Sequence, residues 1–321
     1  MSRYALIVNP TAGRGRARAA AATAAAVLRG AGLAAEVRAS SSLAHARELA
    51  TAAATAGEIV VAVGGDGTAG ALAAATAAAG GRWSLIAGGR GNDLSRVLGI
   101  PRDPAAAANA LITGVERSID LIGVSTEGWA EQIVAGSVYV GVPSVGDEIA
   151  NGMRFISGPR AYPIAALRVV ARWRPATFTL EGTAGKREFA GYTVVIANSP
   201  DFAAGMKIAP PARIDDGRLD IVTMSDASKI TFLRGLAKVS DGSHVTFPQV
   251  DLHTDTDLTF TVDRAMPVGA DGETLPFADP LPAGQPVRVR VLPGALTVIT
   301  PGAPAAAAPP ERATAVDRPP V

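Results

Sequence analysis

Cysteine is absent from the 321 residues of this chain. Its absence excludes a disulfide framework, a thiolate metal site and a cysteine nucleophile, and it fits a reducing compartment. Long apolar runs are lacking too, because arginine, glutamate or glycine interrupts the alanine-rich stretches before the roughly 18 residues that a membrane-spanning helix needs. The N-terminus lacks the basic segment and apolar run of a signal peptide. We therefore expect a cytoplasmic protein.

An excess of one charge is also lacking. Lysine and arginine together number 30 and aspartate and glutamate 29, which gives a formal net charge of +1. The protein therefore has no global field that would mark it as a binder of nucleic acid or of an anionic membrane. Any contact with a membrane is expected to be local and transient.

Short β-type runs alternate with alanine-rich helical segments in the first part of the chain. The predicted strands are Tyr4–Val8, Ala35–Val37, Ile59–Val63 and Ser84–Ala87, and the predicted helices lie near Arg16–Arg29, Leu43–Ala56 and Thr68–Ala79. This alternation predicts an α/β domain with a parallel sheet over residues 1–122, and a strand near 295–301 is a candidate to complete that sheet.

From about residue 123 the sequence pattern changes: runs of β-branched residues are separated by glycine, proline and aspartate. These runs are Ile133–Val140, Thr177–Leu180, Thr193–Ala197, Leu219–Met224, Leu258–Val262 and Val287–Val291. They predict a β-sandwich-like second domain over residues 123–300. One helix, Tyr162–Arg174, is expected to interrupt it, either packed on the core with a solvated arginine face or facing a membrane. Residues 302–321 are rich in proline and alanine and are predicted to be disordered.

The strongest local motif is the run Gly64-Gly65-Asp66-Gly67-Thr68, between a buried strand and a helix. Glycines let the backbone approach a ligand closely, and a helix N-terminus favours phosphate. A carboxylate beside polyphosphate is repulsive unless it holds Mg²⁺ or accepts hydrogen bonds, so Asp66 is a candidate magnesium ligand. The alternative is a tight turn capped by Asp66 or Thr68.

Two more glycine-containing loops follow predicted strands, at Asn9–Arg16 and at Gly88–Asp93. In the first loop Arg14, Arg16 and Arg18 are candidates to face phosphate oxygens, although an ordinary strand-to-helix loop would look similar. Because the carboxyl ends of parallel strands share one edge of a sheet, all three loops are expected to line one cleft. No Walker A sequence is present, so the phosphate site is of another type.

Late in the chain, Ala270-Asp271-Gly272-Glu273 is typical of a tight turn between strands. A carboxylate held there is alternatively a candidate base for a substrate hydroxyl.

In combination these motifs resemble the diacylglycerol kinase catalytic family, which includes sphingosine kinases and bacterial lipid kinases. The resemblance runs from about Tyr4 to Pro301. It rests on Asn9–Gly13, Gly64–Thr68, Gly91–Asp93, Ser118–Leu121, Ala209–Asp220 and Asp271–Glu273.

The resemblance implies an ATP-dependent lipid kinase whose nucleotide and lipid meet between the two domains. Glu273 falls at the general base, Asp120 at its acidic partner, and Asp66 near a catalytic Mg²⁺. Asp216, with the main-chain carbonyls of Arg213 and Arg218, falls at a structural Mg²⁺; the alternative is that Asp215-Asp216-Gly217 is a plain turn. The predicted nucleotide-binding residues, from the loops and the resemblance together, are Asn9, Pro10, Thr11, Ala12, Gly13, Arg16, Ser40, Gly64, Gly65, Asp66, Gly67, Thr68, Arg90, Gly91, Asn92 and Asp93.

The expected partner is a lipid at a membrane surface, with no nucleic acid, and the resemblance also admits a homodimer. The chain departs from the family at Gly70 and Ala71, which replace an Asn-Glu pair, and at Arg90, which replaces threonine or serine. A common glycine run reads Ala203-Ala204-Gly205. Two alternatives stay open: an NAD kinase, which shares the Gly-Gly-Asp-Gly-Thr turn, and a non-catalytic nucleotide- or lipid-binding module, indicated by Ala71 and Arg90.

Overall fold

The computed structural model describes residues 2–10, 12–89, 91–146, 168–225 and 227–302. Four consecutive strands form the sheet of the first domain: β1 (Arg3–Val8), β2 (Ala34–Ala39), β3 (Ile59–Gly64) and β4 (Arg82–Ala87). They pair in parallel in the order β2, β1, β3, β4. Every residue of β3 is buried, as expected for an uninterrupted apolar strand covered on both faces. The predicted α/β fold is confirmed.

The helices of this domain are α1 (Arg16–Gly30), α2 (Leu43–Thr55), α3 (Asp66–Ala78), α4 (Asp93–Val97) and α5 (Pro104–Thr113). Alanine dominates their buried faces because small side chains let a helix approach the sheet closely. α1 packs beside α5, and α2 packs beside α3. Since strand-helix-strand crossovers are right-handed, α1 and α2 lie on opposite faces of the sheet. The order of the strands therefore reverses between β1 and β3, the usual position of a ligand crevice.

The second domain is built from antiparallel strands. They are β5 (Val115–Ser125), β6 (Gln132–Val134), β7 (Ser137–Gly141), β8 (Ala176–Gly182), β9 (Gly185–Ala197), β10 (Asp201–Phe202), β11 (Met206–Lys207), β12 (Leu219–Ser225), β13 (Val250–Asp255), β14 (Asp257–Val262), β15 (Val268–Ala270), β16 (Glu273–Thr274) and β17 (Val287–Thr300). A separate apolar core fills this domain, with Phe178, Phe260 and Tyr192 among its largest buried side chains. The predicted β-sandwich-like fold is confirmed.

Two long strands, β5 and β17, connect the domains. They pair with each other antiparallel along most of their length, with a register shift between Leu292 and Leu296. The first half of β17 also pairs with β14 in the second domain, whereas Thr297 and Val298 pair in parallel with β4 of the first. The second half of β17 thus adds a strand to the first sheet.

Several details differ from the expectation. The run Ile133–Val140 forms two strands, β6 and β7, because the chain turns at Ala135 and Gly136. Within the predicted helix Tyr162–Arg174, positions 162–167 lie outside the described residues and positions 168–172 are helical. The helix stops before Arg174 because a residue that precedes proline disfavours the helical conformation.

Two of the described helices, α5 and α6 (Lys229–Lys238), are among the elements that were not predicted. The N-cap of helix α5 is Asp103, whose carboxylate accepts the Ala106 N–H at 2.7 Å. Pro104 follows at the first helical position. Helix α6 (Lys229–Lys238) starts at Ser228, whose hydroxyl accepts the Thr231 N–H at 3.1 Å. The predicted disordered tail, apart from Gly302, lies outside the described residues.

Candidate active site

Three glycine-containing loops meet at the carboxyl edge of the parallel sheet. They pack so closely that a Cβ on Gly13, whose φ is +60°, would overlap the Gly88 carbonyl oxygen. A Cβ on Gly89 would likewise overlap the backbone of Gly65. Only glycine permits this approach, so the number of glycines reflects packing between loops as well as freedom within each loop. Thr11 and Arg90 lie outside the described residues.

The first loop leaves β1 at Asn9 and Pro10 and continues as a 3₁₀ turn, Ala12–Gly15. The Ala12 N–H donates to the Asn9 carbonyl oxygen at 3.1 Å, and Arg16 Nε donates to the Gly13 carbonyl oxygen at 3.0 Å. The Arg16 guanidinium is thereby held beside the loop while the residue stays exposed. Such an arrangement presents a cation at the edge of the sheet.

Ser40, at the end of β2, lies next to this loop. Its N–H and its hydroxyl both donate to the Val8 carbonyl oxygen, at 2.9 and 3.2 Å, and the residue is buried. The hydroxyl is therefore turned toward the main chain.

Asp66 stands at the first position of α3, and its carboxylate joins the second loop to the third. Its two oxygens accept the N–H groups of Asn92 and Asp93, at 2.7 and 2.6 Å. Gly91 makes this contact possible, because a Cβ there would overlap Asp66 Oδ2. Asn92, at φ +57°, closes the loop through side-chain hydrogen bonds to the N–H and carbonyl oxygen of Gly89, at 3.0 and 3.2 Å. Asp66 thus caps α4, in addition to any role as a metal ligand.

A group of ions lies directly behind this third loop. The Arg96 guanidinium donates to the Gly91 carbonyl oxygen at 2.7 Å and to Asp201 Oδ2 at 3.0 Å, and it also pairs with Asp93. Burial, followed by the nearby Asp66 carboxylate, raises the pKa of Asp93. Asp201 is buried and pairs with Lys207 as well.

These ions fasten a hairpin of the second domain, β10 and β11, onto the first. At the tip of this hairpin the Ala204 N–H donates to Asp93 Oδ2 at 3.0 Å. Ala203 and Ala204 adopt φ values of +44° and +74°, a region that favours glycine. The hairpin therefore keeps its left-handed turn although alanine replaces the glycines of the resembled family.

The second domain brings Glu273 to the start of α3. Its Oε1 lies 3.3 Å from the place that a Cβ of Gly67 would occupy, and the residue is exposed. The neighbouring Asp271 points inward and accepts the N–H groups of Ala135, Gly136 and Ser137 at 2.9 to 3.0 Å. Burial raises the pKa of the Asp271 carboxyl, while these hydrogen bonds act in the opposite direction. The two carboxylates of one turn thus have different surroundings: Asp271 braces the turn, and Glu273 faces the glycine-containing loop at the start of α3.

Asp120 occupies a structural position. Its oxygens accept the N–H of Gly217 at 2.6 Å and the N–H of Gly294 at 2.7 Å, and the residue is 3% exposed. These contacts place its carboxylate between the turn after Asp216 and the register shift of β17. Its link to the Glu273 turn is indirect, through Asn198, whose Nδ2 donates to the carbonyl oxygens of Asp120 and Ala135 at 2.7 and 3.0 Å.

The candidate metal turn contains Asp216, whose Oδ1 accepts the Arg218 N–H at 3.2 Å. The adjacent Asp215 pairs with Arg117 at 2.7 Å. Within the described ranges no group of three or more acidic or histidine side chains could enclose a metal ion. A site here would therefore combine one carboxylate with main-chain carbonyls such as those of Arg213 and Arg218, an all-oxygen set that suits Mg²⁺.

A cleft of about 590 Å³ lies between α1, the Gly88-Gly89 turn and the start of α5. Arg16 and Arg102 line it, with Asn92 and small residues of α1 forming other parts of its wall. Sequence patterns did not single out Arg102, Arg96 or Asp201. The Pro101-Arg102-Asp103-Pro104 sequence, which is typical of a helix start, is the signal that could have indicated Arg102.

Comparisons with known proteins agree with this architecture. Residues 3–124 match the family model described as diacylglycerol kinase catalytic domain, and residues 136–300 match the one described as YegS C-terminal NAD kinase beta sandwich-like domain. A diacylglycerol kinase of Mycobacterium tuberculosis (strain ATCC 25618 / H37Rv) is 31% identical over 307 residues, which cover 94% of this chain and 96% of the relative. A diacylglycerol kinase of Bacillus subtilis (strain 168) is 26% identical over 285 residues, covering 85% and 90%.

Among solved structures, that of a diacylglycerol kinase from Bacillus anthracis str. Sterne superposes with a TM-score of 0.68 and 18% identity, covering 93% of this chain and 97% of that one. This likeness supports the fold. Fold and sequence together define the class as a two-domain lipid kinase, a phosphoryl-transferring enzyme. The chain belongs to the diacylglycerol kinase family. In the part of the chain that the structure describes, no helix is long and apolar enough to cross a bilayer.

Proposed function

We propose that the protein transfers the γ-phosphoryl group of ATP to the hydroxyl of a lipid, diacylglycerol or a close relative. The observation that carries this proposal is the approach of Glu273, from the second domain, to Gly67 at the first turn of α3. A carboxylate beside a phosphate-binding loop is placed to accept a proton from an acceptor hydroxyl. The family supports ATP as the donor, and the names of the relatives support a lipid acceptor.

In this proposal the three packed loops hold the phosphates of ATP. Their glycines let main-chain N–H groups approach the phosphate oxygens, and the α3 N-terminus adds a favourable dipole. Arg16, held by the Gly13 carbonyl oxygen, supplies a cation at the same edge. The role of the protein is mainly to position the reactants and to stabilise charge, as is usual for phosphoryl transfer.

Glu273 accepts the proton of the hydroxyl, and Asp271 holds the turn that carries Glu273 in place. Because Asp271 accepts three main-chain N–H groups of the β6–β7 turn, the hairpin that carries Glu273 cannot rotate without breaking them. The remaining lone pairs of Asp66 are available to an ion next to the phosphates, and Asp216 with the carbonyls of Arg213 and Arg218 would hold a second one. Mg²⁺, when bound, neutralises phosphate charge and stabilises the turn near Asp120.

The direct test is an acceptor panel. Purified protein is incubated with labelled ATP and Mg²⁺, with diacylglycerol and related lipids in mixed micelles, and with NAD in a parallel reaction. We expect label in a lipid. Label in NAD alone would transfer the assignment to NAD phosphorylation, and no label in any acceptor would favour a non-catalytic binding module.

A further inference from the structure

Asn198 is a fully buried polar residue that directly follows the last residue of β9. Its main-chain N–H donates to the Gly136 carbonyl oxygen at 2.8 Å. Its side-chain Nδ2 donates to two more carbonyl oxygens, that of Ala135 at 3.0 Å and that of Asp120 at 2.7 Å. Asn198 thus ties the β6–β7 turn, residues 135–137, to strand β5.

The β6–β7 turn is held from two sides. On one side the Asp271 carboxylate accepts the N–H groups of Ala135, Gly136 and Ser137 at 2.9 to 3.0 Å. On the other side Asn198 supplies donors to the carbonyl oxygens of Ala135 and Gly136. The Ser137 carbonyl oxygen accepts the Asp271 N–H at 3.2 Å. All six main-chain polar groups of the turn therefore have a partner supplied by Asn198 or Asp271.

The position of the β6–β7 turn determines where Glu273 lies. Asp271 Oδ2 lies 2.8 Å from the place that a Cβ of Gly70 would occupy, and Glu273 Oε1 lies 3.3 Å from the corresponding place at Gly67. These two glycines are about one helical turn apart, on the same face of α3. Both carboxylates therefore rest against α3. A displacement of the β6–β7 turn would move Asp271, and Glu273 with it.

The amide of Asn198 is oriented by its surroundings. Its NH₂ group faces two carbonyl oxygens, and the reversed amide would point an acceptor at both, so the hydrogen-bond network assigns the orientation. In the described part of the chain, the buried Oδ1 has no hydrogen-bond donor. A buried acceptor without a donor is unfavourable, and an apolar side chain of similar size would avoid it. The advantage of asparagine here therefore lies in the carbonyl oxygens that its NH₂ group holds.

We infer that Asn198 is a positioning residue for Glu273, acting through the β6–β7 turn and Asp271. The inference rests on the proposed function, because the position of Glu273 affects the rate only if this carboxylate accepts the proton. A displacement of a reacting group by about 1 Å can lower a rate about 10²-fold. The hydrogen bond to the main-chain oxygen of Asp120 makes this role independent of the Asp120 carboxylate, which binds Gly217 and Gly294.

The test is a double-mutant cycle. Lipid phosphorylation is measured at saturating ATP and lipid for the parent, Asn198→Ala, Glu273→Gln and the double variant. We expect Asn198→Ala to lower kcat by about 10- to 10²-fold. Its Kd for ATP should stay within about twofold of the parental value, because the hydrogen bonds of Asn198 do not reach the glycine-containing loops. In the Glu273→Gln background the same change should lower kcat by less than about twofold, because the base that it misplaces is already absent.

Two further variants separate positioning from stability. Thr193→Val is the matched control, because the buried Thr193 hydroxyl of β9 also donates to a carbonyl oxygen, that of Val140 at 3.2 Å. It should lower the Tm without lowering kcat. Asn198→Ser leaves a hydroxyl donor on a short side chain, so it should lose less kcat than Asn198→Ala. It also replaces the alanine variant in the cycle if that variant does not fold.

The outcomes distinguish this inference from the proposed function. A parental kcat in Asn198→Ala, or equal losses of kcat with and without Glu273, would overturn the inference while leaving the base in place. A kcat that follows the Tm across the Asn198 and Thr193 variants would also overturn it, because the role of Asn198 would then be structural. Near-normal turnover of Glu273→Gln alone would overturn the proposed base, and this inference with it.

Discussion

Replacement of Asp120 by asparagine should destabilise the protein. The carboxylate accepts two main-chain N–H groups at 2.6 and 2.7 Å in a buried position. Asparagine has the same shape, but its amide NH₂ must face one of those donors. One charge-assisted hydrogen bond, worth about 1.5–3 kcal/mol, is lost, and a buried N–H is left without an acceptor. We therefore expect the free energy of unfolding to fall by about 2–4 kcal/mol, a decrease in Tm of roughly 3–6 °C for a chain of this size.

The assay is thermal and urea unfolding of the two proteins, with phosphorylation of lipid measured in parallel. Asp263→Asn is the control, because that carboxylate is exposed, and its ion pair with Arg264 at 2.9 Å and its hydrogen bonds with Thr177 should contribute less than the buried contacts of Asp120. If Asp120 acts through stability alone, the Asp120→Asn variant should retain substantial activity when the assay is run well below its Tm. An unchanged Tm with abolished activity would refute this reasoning and support the catalytic role that the family resemblance implies for Asp120.

Three more predictions follow from the site. Gly89→Ala should push the third loop away from Gly65, weaken nucleotide binding and lower the free energy of unfolding by about 1–3 kcal/mol. Gly30→Ala is the control, because a Cβ there meets open space and should change neither property. Nucleotide titration and urea unfolding of both variants test this prediction. Asp201→Asn should leave Arg96 and Lys207 without their shared carboxylate. We expect the free energy of unfolding to fall by about 1–3 kcal/mol and the Kd for ATP to rise. An unchanged Kd would show that the β10–β11 hairpin does not position the third loop. Asp216→Ala should remove any increase in Tm that Mg²⁺ gives the parent; Mg²⁺-dependent stability that survives the change would place the structural ion elsewhere.

Local patterns predicted the parts of the fold that depend on local signals. The alternation of strands and helices, and the unbroken apolar β3, correctly indicated a parallel sheet with three loops at one edge. Helix α6 was missed because its few apolar residues, separated by Lys229, Arg234 and Gly235, resemble a loop or a strand end. The split between β6 and β7 depends on Asp271, which lies more than 130 residues away and binds the N–H groups of the turn between them.

The candidate site was predictable where residues lie within one loop and unpredictable where they meet across the chain. The glycines of the three loops were identified from the sequence. Their close approach to one another was not, because it depends on how the three strands that carry the loops pack together. The contact of Arg96 with Asp201 joins residues 105 positions apart, and no periodicity indicates it. Similarly, the sequence Asp271-Gly272-Glu273 does not say which carboxylate points inward, since φ values of +48° and +85° at Asp271 and Gly272 decide that.

The central claim is that Glu273 is the base in phosphoryl transfer to a lipid hydroxyl. The most direct measurement is the kcat of Glu273→Gln at saturating ATP and lipid, together with its Kd for ATP, and with Glu181→Gln, an exposed glutamate of β8, as the control. Glutamine keeps the shape and removes the basicity, so we predict a folded variant with a nearly normal Kd for ATP and a kcat lowered at least about 10²-fold. Near-normal turnover of this variant would contradict the account and return Asp271-Gly272-Glu273 to an ordinary hairpin turn.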